Sequence, residues 1–249
     1  MTDIELKIRI FLFDLDGTLI NSGWSGVRAL QRAFWEVFEI EDGMHKIRCD
    51  GKTDRAIVRE VLSGRQLDSE ANIDRLLESY ISHLPAAVTA ADGYRVIPGV
   101  FDTLEYLGSL PGMLCGLATG NVIAGAKTKL ARADLFKYFP VGGFGSDAED
   151  RAELVKKAVE RAREYLSDAR ARAVIIGDTP LDILAAHSAG HKAIGVATGN
   201  FDTQALEEAG GDMVLVTLAN PKKWITVMQE RFSKTLVGGF VLPGLEKPD

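Results

Sequence analysis

Two carboxylates two residues apart, Asp14 and Asp16, follow directly on a short apolar run, Ile10-Phe11-Leu12-Phe13, and precede Gly17-Thr18. Residues i and i+2 of an extended chain point to the same side, so the pair shares one small space. Like charges held that close repel unless a cation or a shared proton separates them. An all-oxygen site of this kind suits a hard ion such as Mg2+. Asp-x-Asp-Gly is also plain turn chemistry, with Gly17 supplying a positive φ and the carboxylates capping amides. A calcium loop opens in a similar way, but it needs an oxygen ligand at the position of Thr18, a later glutamate and a preceding helix. These readings part on whether further acidic and phosphate-binding pieces follow other apolar runs.

They do. The run Met113 to Ala118 ends in Thr119-Gly120-Asn121, and Ala173-Val174-Ile175-Ile176 ends in Gly177-Asp178-Thr179-Pro180. Each loop also has a plainer reading. Thr119-Gly120-Asn121 alone is a helix cap, and Thr179-x-x-Asp182 with Pro180 is a capping box with proline at the first helical position. Helix chemistry leaves Asp178 unexplained. A carboxylate at the mouth of a buried strand needs a partner.

The elements that must position these residues alternate as buried run, loop and helix, the pattern of an α/β fold with a doubly wound, Rossmann-like parallel sheet. The strands of such a sheet open onto one rim, so loops distant in sequence converge there. A helix begins after each loop and offers free amides and a positive dipole end to a phosphate. Between Asn21 and Asp92 the pattern is helical instead. Trp24, Val27, Leu30, Phe34, Val37 and Phe38 recur at helical spacing, Thr53 caps a second helix through Leu62, and Ser69 caps a third to about Leu84. Ile20 to Gly23 reads as a linker, and no strand is expected in this stretch. The division is therefore 1–20 core, 21–92 helical insertion and 93–249 core. The tail from about Arg231 to Asp249 carries no pattern.

Composition bounds the partners. The chain has 249 residues, 46% hydrophobic and 26% charged, with a net charge of −6, which describes an ordinary globular protein. No basic tract favours nucleic acid, which is bound by clustered Lys and Arg. No apolar run approaches membrane-spanning length, and the amino terminus is too acidic for a signal peptide. Cys49 and Cys115 are far apart with no CxxC, which fits a reducing compartment. The expectation is a cytoplasmic protein.

Asp-Leu-Asp-Gly-Thr, Ala-Thr-Gly-Asn and Gly-Asp-Thr-Pro-Leu-Asp, each after an apolar strand, resemble in order and spacing motifs I, II and IV of the haloacid dehalogenase-like hydrolases. The likeness covers about Ile8 to Val216. The helical insertion is similar to that superfamily's type C1 cap. Gly51-Lys52-Thr53-Asp54 and Ile97-Pro98-Gly99-Val100 look most like its phosphoglycolate phosphatase-like branch. The family's third motif is usually a lysine, often followed by proline, and no such pair occurs here. Arg151, at the start of the corresponding helix, is the residue we expect in that role, with Lys156 and Lys157 as the alternatives. A planar guanidinium can hold a phosphate oxygen and a carboxylate together.

The resemblance implies a Mg2+-dependent phosphomonoester hydrolase acting on a small phosphorylated metabolite, with phosphoglycolate among the candidates. Asp14 is then the nucleophile and Asp16 the acid and base. The metal is held by the Asp14 carboxylate, the Asp16 backbone carbonyl and Asp178, with Asp182 in support. Thr119, Arg151 and the amides near Gly17 and Gly120 hold the phosphoryl oxygens, with Asn121 beside them. Thr18 positions the loop. Lys52 is expected to reach a substrate carboxylate or hydroxyl from the cap, or else to be a solvated surface lysine. Asp16 argues against a true dehalogenase, which lacks that aspartate. A phosphosugar mutase, a phosphonate hydrolase using Lys46 or Lys52 of the cap, and a non-catalytic phosphate-sensing module are the rival functions.

Overall fold

The computed structural model describes residues 8–234. From the amino end come β1 (Ile8–Phe13) and β2 (Ile20–Ser22), then three helices, α1 (Ser25–Phe38), α2 (Asp54–Ser63) and α3 (Glu70–Thr89). β3 (Tyr94–Val96) and α4 (Val100–Ser109) lead into an alternating series: β4 (Leu114–Thr119), α5 (Ile123–Ala131), β5 (Val141–Phe144) and α6 (Arg151–Leu166). The series continues with β6 (Arg172–Gly177), α7 (Pro180–Ser188), β7 (Lys192–Val196), α8 (Thr203–Glu208), β8 (Met213–Leu215) and α9 (Pro221–Lys234).

Six strands form one sheet in the order β5-β4-β1-β6-β7-β8, and every pairing in it is parallel. The period of two in β1 divides the core. Phe11 and Phe13 pack with α4, α5 and α9 on one face, and Ile10 and Leu12 with α6, α7 and α8 on the other. Covered on both sides, β1 is continuously apolar from Ile10 to Phe13. This is the doubly wound α/β architecture expected from the sequence. Cys115 is buried in it as a free thiol that burial pushes up to about 12. Among the described residues no helix is long and apolar enough to cross a membrane.

The helices α1 to α3 have their own apolar core, in which Leu30, Phe34, Val58, Leu62, Leu76, Tyr80 and Leu84 are buried. Thr53 and Ser69 cap α2 and α3, accepting from the amides of Ala56 and Asn72. Three local readings change. Ile20 to Ser22 is a strand rather than a linker, paired antiparallel with β3 through Ile20–Val96, Asn21–Arg95 and Ser22–Tyr94. Three residues with a partner far along the chain leave no periodicity to read. Helix α3 runs on to Thr89 past Pro85, since a proline removes one donor while Tyr80, Leu84 and Val88 continue the buried stripe. Helix α9 was not expected at all. It buries Trp224, Ile225, Met228 and Phe232, and the Gln229 side chain bonds both the amide and the carbonyl of Ile8 at 2.9 and 2.8 Å. The acidic amino terminus and the tail beyond residue 234 lie outside the described residues.

Candidate active site

β4, β1 and β6 are adjacent, so the loops that leave their carboxyl ends are neighbours. The Asp14 amide still donates to the Ile176 carbonyl at 2.8 Å, which fixes where the first loop departs. Gly17 then turns the chain at φ +87°, and a Cβ there would lie 2.2 Å from Asp178 Oδ2. Only glycine fits both demands. Thr18 Oγ1 donates to Asp178 Oδ1 at 3.1 Å. The buried carboxylates of Asp14, Asp178 and Asp182 place oxygens that all lie within 4.8 Å of one another.

Arg151 is the first residue of α6, whose amides at Ala152 and Glu153 are capped by Asp150 at 2.8 and 3.0 Å. Its Nη2 lies 2.9 Å from Asp14 Oδ1 and also contacts Asp182 Oδ1, and its Nη1 donates to the Gly51 carbonyl at 2.9 Å. Asp182 is held for this contact by the capping box. Its Oδ2 accepts from the Thr179 amide at 3.0 Å and the Thr179 hydroxyl at 2.7 Å. Lys156 and Lys157 point elsewhere, paired with Glu153 and Glu160 on the exposed face of α6.

Three buried carboxylates thus face one guanidinium. Burial pushes Asp14 up to about 7, with repulsion from Asp182 and Asp16 adding to it and Arg151 opposing. Burial, with Asp182 and Asp14 adding, lifts Asp178 well above the usual carboxylate range. Arg151 is raised as well, since its two carboxylates outweigh the burial that would lower it. A hard divalent cation fits this donor set, because it would supply the positive charge that the buried oxygens lack.

Asp16 lies beside this cluster in a different environment. Its Oδ1 accepts from Ser22 Oγ at 2.6 Å, and its Oδ2 from Asn121 Nδ2 at 3.0 Å and Lys129 Nζ at 2.5 Å. Burial alone would raise its pKa, but the Lys129 charge and these three donors together hold it below the usual range. Thr119, the last residue of β4, is buried and accepts from Asn121 Nδ2 at 3.0 Å. Lys129 was absent from the sequence expectations. It sits on the buried face of α5 with Gly125, Ala126 and Leu130, and that stripe is the signal that could have found it.

The helical insertion closes over the second loop. The Asp54 amide donates to the Gly120 carbonyl at 2.8 Å, and Asp54 Oδ2 accepts from the Val122 amide at 2.8 Å. A Cβ on Gly120 would lie 2.3 Å from the Lys52 carbonyl, so glycine is what lets the two loops meet. Burial pushes Asp54 up to about 6. The Lys52 ammonium pairs with Glu60 at the rim. Between insertion and core lies a cavity of about 330 Å3, lined by Asp14, Asp16, Asp54, Lys129, Arg151 and Asp178 among others.

Residues 8–190 match the family model described as haloacid dehalogenase-like hydrolase. The chain is 27% identical over 201 residues to a phosphoglycolate phosphatase of Agrobacterium fabrum, covering 79% of this chain and 83% of that one. It is 26% identical over 221 residues to glycerol-1-phosphate phosphohydrolase 2 of Saccharomyces cerevisiae, covering 85% and 83%. Its fold superposes on a β-phosphoglucomutase from Clostridium difficile with a TM-score of 0.67 at 16% identity, covering 92% of this chain and 99% of that one. With parallel sheet, strand-end aspartates and family match in agreement, the chain belongs to the haloacid dehalogenase-like hydrolases, on the phosphoglycolate phosphatase-like side of that family, and is a phosphatase.

Proposed function

We propose that this phosphatase hydrolyses a small phosphomonoester through an aspartyl-phosphate on Asp14, with Mg2+ as its cofactor. The observation that supports this reading most is the placement of the Asp14 carboxylate, 2.9 Å from Arg151 and in one buried cluster with Asp178 and Asp182. Asp14 attacks phosphorus, an Asp14–phosphorus bond forms, and the bond to the leaving oxygen breaks. Asp16, which the free protein holds as the carboxylate, first takes up a proton from solvent and then passes it to this oxygen. In the second half Asp16 removes a proton from water, the water oxygen bonds to phosphorus, and Asp14 is released with inorganic phosphate. Arg151, Thr119 and the amides around Gly17 and Gly120 hold the phosphoryl oxygens as charge spreads over them. Asp14 and Asp178 would hold Mg2+, together with the Asp16 carbonyl. When bound, the ion offsets the repulsion between nucleophile and phosphate. In this reading Asp182 serves mainly to position Arg151, because both its oxygens are already engaged.

Release of inorganic phosphate from p-nitrophenyl phosphate with and without Mg2+ tests the reading. Turnover should require the ion, and equal rates in chelator would refute it. The mutase is the second reading, favoured by the likeness of fold. Incubation with β-glucose 1-phosphate should liberate phosphate in step with substrate loss. Accumulation of glucose 6-phosphate instead would decide for the mutase.

Mg2+ should also raise the melting temperature, and by more at about pH 8 than at about pH 6, on either side of the Asp14 value near 7. The sign follows from the raised pKa. The folded metal-free protein binds its proton more tightly than the unfolded chain, so its stability falls as pH rises from 3.8 to about 7. The ion removes that penalty at high pH, whereas at low pH it must displace protons. A Mg2+ shift that is larger at low pH would contradict the cluster as the metal site.

A further inference from the structure

The cavity has two halves. Asp14, Arg151 and Gly17 surround the place of the phosphoryl group. The other half, where a leaving group would lie, is built by Tyr80 and Asp54 from the helical insertion and by Lys129 from α5. Tyr80 is fully buried at 0% exposure, yet its hydroxyl has no hydrogen-bond partner among the described residues. A buried polar group without a partner is unfavourable and rare in folded proteins, so it marks a place that a ligand completes. The hydroxyl sits where α1, α3 and α5 meet. A Cβ on Gly26 would lie 3.7 Å from it and 3.3 Å from Lys129 Nζ, and a Cβ on Gly125 would lie 3.5 Å from it. Asn121, which also lines the cavity, has in its Oδ1 a second buried acceptor without a partner among the described residues.

Charge decides what this half accepts. Lys129 is its one buried cation, already ion-paired with Asp16 at 2.5 Å. Asp54 is a second buried carboxylate that acts on both the ammonium and the Tyr80 hydroxyl, as Asp16 does. Lys52 is paired with Glu60, and Arg95 is exposed at the rim, so neither adds a buried positive charge. A carboxylate in this half would confront two carboxylates across one matched ammonium. A neutral hydroxyl would meet an orphaned phenol and an orphaned amide oxygen.

From this juxtaposition we infer that the leaving group is a neutral alcohol bearing at least one further hydroxyl, a small polyol or sugar rather than a hydroxy acid, and that Tyr80 is the residue that selects it. The inference rests on the phosphatase reading. It differs from the phosphoglycolate expectation drawn from sequence resemblance, because the field beside Lys129 is negative.

The test compares kcat/KM for glycerol 3-phosphate, 2-phosphoglycolate and p-nitrophenyl phosphate in the presence of Mg2+. The wild-type enzyme should favour glycerol 3-phosphate over 2-phosphoglycolate by at least about tenfold. Tyr80→Phe should lower the ratio of glycerol 3-phosphate to p-nitrophenyl phosphate by about tenfold. Its melting temperature should not fall, since the hydroxyl bonds nothing in the protein. Asp54→Asn keeps an acceptor for the Val122 amide and removes a charge, so it should shift preference toward 2-phosphoglycolate. A wild-type preference for 2-phosphoglycolate overturns the inference, as does a Tyr80→Phe ratio equal to wild type. Failure to hydrolyse any of the three esters would instead refute the phosphatase reading.

Discussion

Asp14→Asn should be folded and inert, with turnover down by at least about 10⁴-fold, the scale on which removing a nucleophile acts. The side chain keeps its shape and an oxygen toward Arg151, so neither β1 nor the loop after it has reason to move. It loses the charged oxygen that must attack phosphorus. Stability should hold or rise, because one of three crowded carboxylates is removed from a buried cluster whose repulsion raises Asp14 to about 7. Steady-state hydrolysis, acid-stable labelling of the denatured protein by phosphate and a thermal melt in chelator check the three parts. Residual activity within tenfold of wild type would remove Asp14 as nucleophile, since no other reaction role tolerates losing its charge so lightly.

Arg151→Ala should combine two losses that Asp14→Asn separates. Removing a donor to the transferring group should cost about 10²–10³-fold in kcat. Removing the cation also leaves Asp14 and Asp182 buried without it, and breaking a buried ion pair from one side costs about 3–5 kcal/mol. For a chain of this size that lowers the melting temperature by roughly 10 °C. Mg2+ should recover part of the stability and little of the rate, as it replaces charge but not the fork. Arg151→Lys should lie between, because a point charge cannot serve Asp14, Asp182 and the Gly51 carbonyl together. Lys156→Ala, by contrast, should turn over like wild type, since that ammonium pairs with Glu153 on the exposed face of α6. A crippled Lys156→Ala beside an unaffected Arg151→Ala would reverse the assignment of the phosphate-holding cation.

What could be read from sequence divides along physical lines. Asp14, Thr119 and Asp178 stood out because each ends an apolar run, and parallel strands bring their carboxyl ends to one rim whatever the distances along the chain. Arg151 was legible because the family resemblance calls for a cation at the start of that helix and no lysine–proline pair supplies it. Lys129 was not. It lies in the last turn of α5 between Lys127 and Arg132, where a basic residue reads as ordinary dipole chemistry, and only the stripe of Gly125, Ala126 and Leu130 sets it apart from its solvated neighbours. Asp54 was hidden in a similar way, as an acidic residue at a helix start reads as ordinary dipole chemistry until its amide and carboxylate are seen on Gly120 and Val122. The overall layering was legible from the alternation of buried runs and helices, whereas β2, β3 and α9 depended on partners that sequence does not name.

The short ribbon of β2 and β3 both joins the helical insertion to the sheet and carries Ser22, whose hydroxyl bonds Asp16 at 2.6 Å. Exchanging the insertion for another to change substrate preference is therefore safest with junctions after Ser22 and before Tyr94, which leave the ribbon whole. A splice that replaces Ser22 would swap the insertion and remove a hydrogen bond from Asp16, the residue proposed to handle the proton, in one cut, and the resulting chimera would look like a specificity failure while suffering from a chemical one.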